Sequence, residues 1–203
     1  MNRLNQSYSL PVFSLLILLL STTVSAHSFS VLLTGPFSGI DAQTGLSMQQ
    51  GFLVATAERD AHPDETADGH LGGLDVHLQN FDTAKLTNST AKTLDQKEHK
   101  IDIIIVQLEN HMAKNLIQYA KSKNAVVITP ADLPFEGSPG LANSANRFVS
   151  AFVQRFSIEP DRFAAQGYQL ARRIDEAVRP FDSAKNTADL KQRLRKTQSG
   201  IKW

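Results

Sequence analysis

The sequence predicts an α/β fold: a three-layer domain whose parallel sheet of about four strands has helices on both faces, with extra helices toward the carboxyl terminus. Three observations support this. Apolar periodicity switches repeatedly between the strand and helix repeats over residues 29–129. Residues 101–108, Ile-Asp-Ile-Ile-Ile-Val-Gln-Leu, are nearly continuously apolar and β-branched, as a strand buried on both faces must be. No strand pattern follows residue 130. Strands alternating with helices specify parallel pairing through right-handed crossovers.

The chain opens on a leader. Arg3 is the only charge before an apolar stretch at 10–20, and Val24-Ser25-Ala26 is a small-x-small cleavage site. Residues 1–26 therefore read as a secretory signal peptide, with the mature chain periplasmic and not inserted in a membrane after cleavage. The apolar stretch is too short to span a bilayer comfortably. The sequence contains no cysteine, which excludes disulfides, thiolate metal sites, a cysteine nucleophile and a lipid-anchored amino terminus.

The elements then follow in order. Residues 29–34 form an apolar strand, and 46–60 a helix with Met48, Phe52 and Ala55 on one face. Residues 74–81 alternate Leu74, Val76 and Leu78 with polar neighbours as a second strand, and 83–97 form a weak polar helix with Leu86 and Leu94 two turns apart. The apolar segment at 101–108 is the third strand. A helix over 110–123 presents Met112, Leu116 and Tyr119, and a fourth strand at 125–129 is stopped by Pro130. Residues 131–143 are a Pro/Gly/Ser/Asn connector or hinge. Three helices are expected beyond it, at 144–157, 161–178 and 187–197. The first has Phe148, Phe152 and Phe156 at i, i+4 and i+8.

Charge narrows the partners. The whole chain has a formal net charge of +1, and loss of Arg3 with the leader brings it to zero, which disfavours nucleic acid. The balance is uneven, with acids in excess up to Asn146 and Lys and Arg in excess beyond it. These are oppositely charged faces of one fold or a docking surface. Residues 181–203 form a basic terminal helix and tail. Lys191, Arg193, Arg195, Lys196 and Lys202 stand there without an acid from 191 onward, as a frayed tail or a contact for a protein partner.

Motif order is more specific than any single motif. Gly35-Pro36-Phe37-Ser38-Gly39 ends the first strand, Gly72-Gly73 opens a strand ending at Phe81-Asp82, and Thr129-Pro130 ends the fourth. A strand broken by such a turn presents its carboxyl end and the next helix amino terminus to a ligand. The succession resembles the first lobe of type I periplasmic solute-binding proteins, the branched-chain amino acid receptors of ABC importers. Residues 143–178 look like the family's late helices. The resemblance implies one lobe of a two-lobe receptor, spanning 27–180. The connector at 131–143 stands where a complete receptor crosses into a second lobe and back.

That resemblance implies a solute-binding domain related to ABC receptors for amino acids or similar small polar, amide-like solutes. Binding would be weakened or altered by loss of half the cleft, with an ABC permease or another periplasmic protein as partner. It assigns ligand contacts to Phe37 and Ser38 in the first turn, and to Thr44, where relatives place an aromatic ring. It adds Gln107, Glu109 and Asn110 after the third strand, and Thr129 and Asp132 after the fourth. Glu109 and Asp132 disfavour a carboxylate ligand and favour a neutral or cationic one, unless both point into solvent.

Other classes are less well supported. The sequence lacks a Gly-x-Ser-x-Gly elbow, a phosphate loop and a His-Glu-x-x-His helix, so no catalytic residue and no cofactor are assigned. His62, Asp64, Glu65, Asp68 and His70 read as a solvated polar loop, and His27 as a new amino terminus. A metal-handling role through either is an alternative, as is an accessory protein-interaction module, but no metal site is assigned.

Overall fold

The computed structural model describes residues 28–60, 67–85, 90–95, 100–107, 111–130, 141–181 and 184–197. The predicted leader and its cleavage site lie outside them. Among the described residues no helix is long and apolar enough to cross a membrane.

Strand β1 (Ser28–Gly35) alternates its side chains across the sheet: Phe29, Val31 and Leu33 enter one apolar layer and Leu32 the other. It is followed by helix α1 (Ala42–Ala57), strand β2 (His70–Leu71) and strand β3 (Leu74–Asp82). A short 3₁₀ turn (Thr83–Lys85), helix α2 (Thr90–Asp95), strand β4 (Ile103–Val106), helix α3 (His111–Ser122) and strand β5 (Val126–Ile128) come next. Helices α4 (Leu141–Phe156), α5 (Arg162–Val178) and α6 (Thr187–Lys196) complete the chain.

The sheet order is β2-β3-β1-β4-β5. β3, β1, β4 and β5 are parallel, in register Thr34↔Phe81, Thr34↔Val106 and Ile105↔Ile128. The four-strand parallel sheet is therefore present, with a fifth, antiparallel strand that the sequence reading lacked. Gly72 and Gly73, at φ +64° and +85°, form the two-residue connection that folds β2 back on β3. Two residues are too few to show a period.

Helices cover both faces. α1, α4, α5 and α6 share one apolar layer with Val31, Leu33, Val76, Ile103, Ile105, Val126 and Ile128. α2 and α3 share the other with Leu32, Ile104 and Val106, through Leu94, Leu116 and Tyr119. Met48, Phe52 and Ala55 of α1 are fully buried, as is Phe152 of α4, whose ring stands 5.7 Å from Phe148. The late helices thus pack on the sheet built by the first 130 residues.

α1 and α5 come into backbone contact. A Cβ on Gly51 would stand 1.8 Å from the Ala164 carbonyl oxygen, and one on Gly167 would stand 1.9 Å from that of Met48. Asp161 fixes the start of α5 by accepting from the Phe163 and Ala164 N–H groups, each over 2.9 Å, and from the Ser47 hydroxyl.

Boundaries differ from the sequence reading in several places. α4 starts at Leu141, so 141–143 of the predicted connector are helical, and residues 131–140 of it lie outside the described set. α1 starts a turn before residue 46, because Gly39 at φ +79° lets the Ala42 N–H reach the Gly39 carbonyl. The helix predicted over 83–97 is replaced at its start by the 3₁₀ turn, whose Ala84 N–H donates to Asp82 Oδ1. Among the described residues of that range, α2 occupies Thr90–Asp95.

α6 is an integral layer member. Leu190 and Leu194 are buried in the first core, and Arg193 donates to the Ala177 carbonyl over 3.1 Å. The last residues, 198–203, lie outside the described set.

Candidate functional site

The chain leaves β1 toward β3 on one side and later crosses to β4 on the other, so strand order reverses between β1 and β4. Open α/β sheets bind ligands at such a reversal, outside the strands' carboxyl ends. The site is therefore built on one rung. Gly35 is in register with Asp82 of β3, and one step past Thr34↔Val106 puts Gln107 on Gly35's other side.

The turn after β1 is drawn in tightly. A Cβ on Gly35 would stand 2.6 Å from Gln107 Oε1, and one on Gly45 would stand 2.2 Å from the Pro36 carbonyl oxygen. Phe37's ring lies against both glycines and packs on the first core. Glycine at 35 lets the Gln107 side chain cross the strand end, and glycine at 45 lets α1 start against the turn.

Asp82 organises this turn, a role the sequence reading missed. It accepts from the Phe37 N–H over 3.1 Å and from the Ser38 hydroxyl over 2.6 Å, with Lys85 Nζ 3.7 Å away. The Ser38 hydrogen bond is the main cause holding its carboxyl below the ordinary value, with the Phe37 and Ala84 N–H groups adding to it against the opposing effect of burial. Phe81-Asp82 was visible as a strand end. Its partners, some 45 residues earlier, were not.

Ser38 thus spends its one hydrogen on Asp82 and offers a ligand only lone pairs. Gln107 is half-buried, and its Oε1 is buried without a hydrogen-bond partner among the described residues. Thr44 is half-buried in the first turn of α1, its N–H donating to the Asp41 carbonyl over 3.0 Å. Asp41 precedes α1 without a side-chain cap bond. Thr129 follows β5 at the same sheet end. The structure therefore brings Phe37, Ser38 and Gln107 together, with Thr44 close behind through Gly45. Glu109, Asn110 and Asp132 lie outside the described residues.

The polar segment read as a solvated loop is otherwise placed at its end. His70 is nearly buried in β2, its Nε2 2.8 Å from Asp75 Oδ1 and its Nδ1 3.2 Å from Asp60 Oδ1. Asp68 Oδ2 accepts from the Leu78 N–H. These contacts anchor the hairpin to the end of α1. Among the described residues no group of three or more His, Asp or Glu side chains is placed to hold a metal. His27, His62, Asp64 and Glu65 lie outside them.

No protein-family model and no curated protein sequence matches the chain. Solved structures do. A branched-chain amino acid transporter substrate-binding protein from Streptococcus pneumoniae, in complex with isoleucine, aligns at 13% identity and TM-score 0.61 over 84% of this chain and 88% of the other. An ABC transporter solute-binding protein from R. palustris, in complex with benzoate, aligns at 14% identity and TM-score 0.58 over 84% of each. An ABC transporter substrate-binding protein from Sphaerobacter thermophilus aligns at 12% identity and TM-score 0.53, over 82% and 85%. The chain has the leucine-binding-protein-like fold of type I periplasmic binding proteins, at the size of a single lobe.

Proposed function

We infer that the protein is a periplasmic solute-binding-protein-like domain that holds a small polar solute weakly at the carboxyl ends of β1, β3 and β4. The observation that supports it most is the reversal of strand order at Gly35, in a chain sharing its fold with ABC transporter solute-binding proteins. The chemistry of the rung favours a donor-bearing ligand. Asp82 is anionic, Ser38 presents lone pairs, and Gln107 Oε1 lacks a donor among the described residues. Rotation of the half-buried Gln107 side chain would let a solute ammonium or amide satisfy that oxygen, recovering about 1–3 kcal/mol. An amino acid amide or a cationic amino acid fits better than a bare carboxylate. A single lobe supplies half of an enclosing cleft, so binding nearer millimolar than micromolar is expected.

Thermal denaturation of the purified protein against amino acids, their amides, aromatic carboxylates and Cu(II) tests this reading. A saturable stabilisation by amides or cationic amino acids, lost in Gln107→Ala, is the expected result. Stabilisation by Cu(II) alone would point to metal handling.

A second reading, an accessory interaction module, is favoured by one observation. Ile40 in the turn is 99% exposed and Leu46 on the first turns of α1 is 41% exposed, so two large apolar side chains flank the rim. No stabilisation by any solute, together with concentration-dependent self-association abolished by Ile40→Ser, would support it instead.

A further inference from the structure

A cavity lies away from the strand-end rung, against the far side of β5. β5 is the last strand in the sheet order, with β4 on one side and no strand on the other among the described residues. A space of about 320 Å³ opens there, floored by β5 and Leu194 and walled by α3, α5 and α6. Among the described residues its ionisable lining is cationic, Lys121 from α3, Arg173 from α5, and Lys191 and Arg195 from α6, and no carboxylate lines it.

The four cations are assembled by independent features of the fold. Lys191 and Arg195 are one helical turn apart, so the burial of Leu190 and Leu194 turns both toward β5. Arg173 is only 2% exposed, and its guanidinium is held by donation to the Leu194 carbonyl over 3.0 Å. Its Nε reaches Thr197 Oγ1 at 3.5 Å. Lys121 approaches from the opposite wall at the end of α3. Like charges gathered around a partly enclosed space repel, and the low-dielectric walls concentrate their field on whatever enters. A fixed guanidinium with the exposed Lys121, Lys191 and Arg195 side chains around it is a donor set suited to multiply charged oxyanions.

From this geometry we propose that the cavity beside β5 is a binding site for a small multivalent oxyanion, a phosphate or a polycarboxylate. The site uses side chains unconnected with the rung at Gly35, so it does not depend on the solute-binding reading. It also gives the basic carboxyl-terminal segment a task within the fold: α6 supplies two of the four cations.

Isothermal titration of the full purified chain with inorganic phosphate and with citrate, against sodium chloride at matched ionic strength, tests it. The variants are Lys191→Gln/Arg195→Gln, both exposed positions whose loss leaves the core intact, and Lys92→Gln/Lys114→Gln as an equal charge change elsewhere. The expected result is saturable binding of at least one anion below about 10 mM. It should weaken about tenfold or more in the first variant and change little in the second. The tighter of the two anions identifies phosphate or carboxylate as the favoured chemistry. Absence of saturation by either anion would overturn the proposal, as would equal weakening in both variants, the mark of diffuse attraction to a basic surface.

Discussion

Ser38 and Asp82 close the turn after β1 onto the end of β3, the hydroxyl donating to Asp82 Oδ2 over 2.6 Å. The bond is charge-assisted and is joined on the other carboxylate oxygen by the Phe37 N–H. Asp82→Ala is expected to cost about 2 kcal/mol at neutral pH, since it strands the Ser38, Phe37 and Ala84 donors. The sign of its pH dependence follows from a folded-state pKa held below the ordinary value. The contribution is complete above the unfolded carboxyl value of about 3.9 and disappears as pH falls through the lower folded value. Urea unfolding of both proteins should give a constant gap above about pH 5 that narrows below about pH 4. A gap that persists unchanged into acid would mean the carboxylate is not the acceptor.

The glycines between α1 and α5 make the opposite prediction from helix propensity. Glycine inside a helix is about 1 kcal/mol less favourable than alanine, so Gly51→Ala and Gly167→Ala look stabilising from the sequence. The structure reverses the sign. Each new methyl group would meet a carbonyl of the facing helix at 1.8 or 1.9 Å, and backbone cannot swing aside like a side chain. Parting the helices loosens the layer around Met48, Phe52 and Tyr168. Each variant is expected to lose about 1–3 kcal/mol, read as a lower urea midpoint. An unchanged or raised midpoint would show that the two helices are not in backbone contact.

Asp175 ties the β2–β3 turn to α5. Its carboxylate is nearly fully buried, accepting from the Gly72 N–H over 2.7 Å and from Arg179 Nη2 over 2.6 Å, with Arg59 Nε at 3.9 Å. Removing it leaves a buried N–H without an acceptor and a guanidinium without its anion. Asp175→Ala should cost about 3 kcal/mol, and Asp175→Asn less because the amide oxygen still accepts from Gly72. Hydrogen exchange at Gly72 would rise in the alanine variant before global unfolding. Protection there equal to the parent's would remove Asp175 from this role.

What could be read from the chain was whatever repeats along it. Ile103 to Val106 read as a doubly buried strand because every side chain is apolar, and both layers receive them in alternation. Met48, Phe52 and Ala55 read as one face because helical spacing survives without a partner. β2 went unseen, since two residues have no period and the evidence for it lay in the Gly72-Gly73 turn. Asp82, Asp175 and the gathering of Lys121 and Arg173 with the basic residues Lys191 and Arg195 beside β5 escaped for another reason. Each acts on groups distant in sequence, and a lone charge between polar neighbours looks like solvated surface. The candidate site was legible as a place, the Gly-Pro turn after the first strand. Its internal bonding was not.

Two buried phenols give a reading of the fold at alkaline pH. The chain has three tyrosines, and Tyr8 lies outside the described residues. Burial, then the hydrogen bond to Asp95 Oδ1, pushes Tyr119 up to about 12. Tyr168 is pushed up further, by burial first and then by the Glu58 carboxylate that its hydroxyl meets at 2.7 Å. A raised folded-state value means that the native protein favours the neutral phenol. This stabilisation is complete below the unfolded value of about 10 and is lost as pH rises through the folded one. Phenolate absorbance of Tyr119 and Tyr168 in the native protein should therefore appear only well above pH 10, or with alkaline unfolding. Tyr119→Phe and Tyr168→Phe should each remove one late step. Titration of both phenols near pH 10 with circular dichroism unchanged would mean that neither is enclosed as α3 and α5 place them.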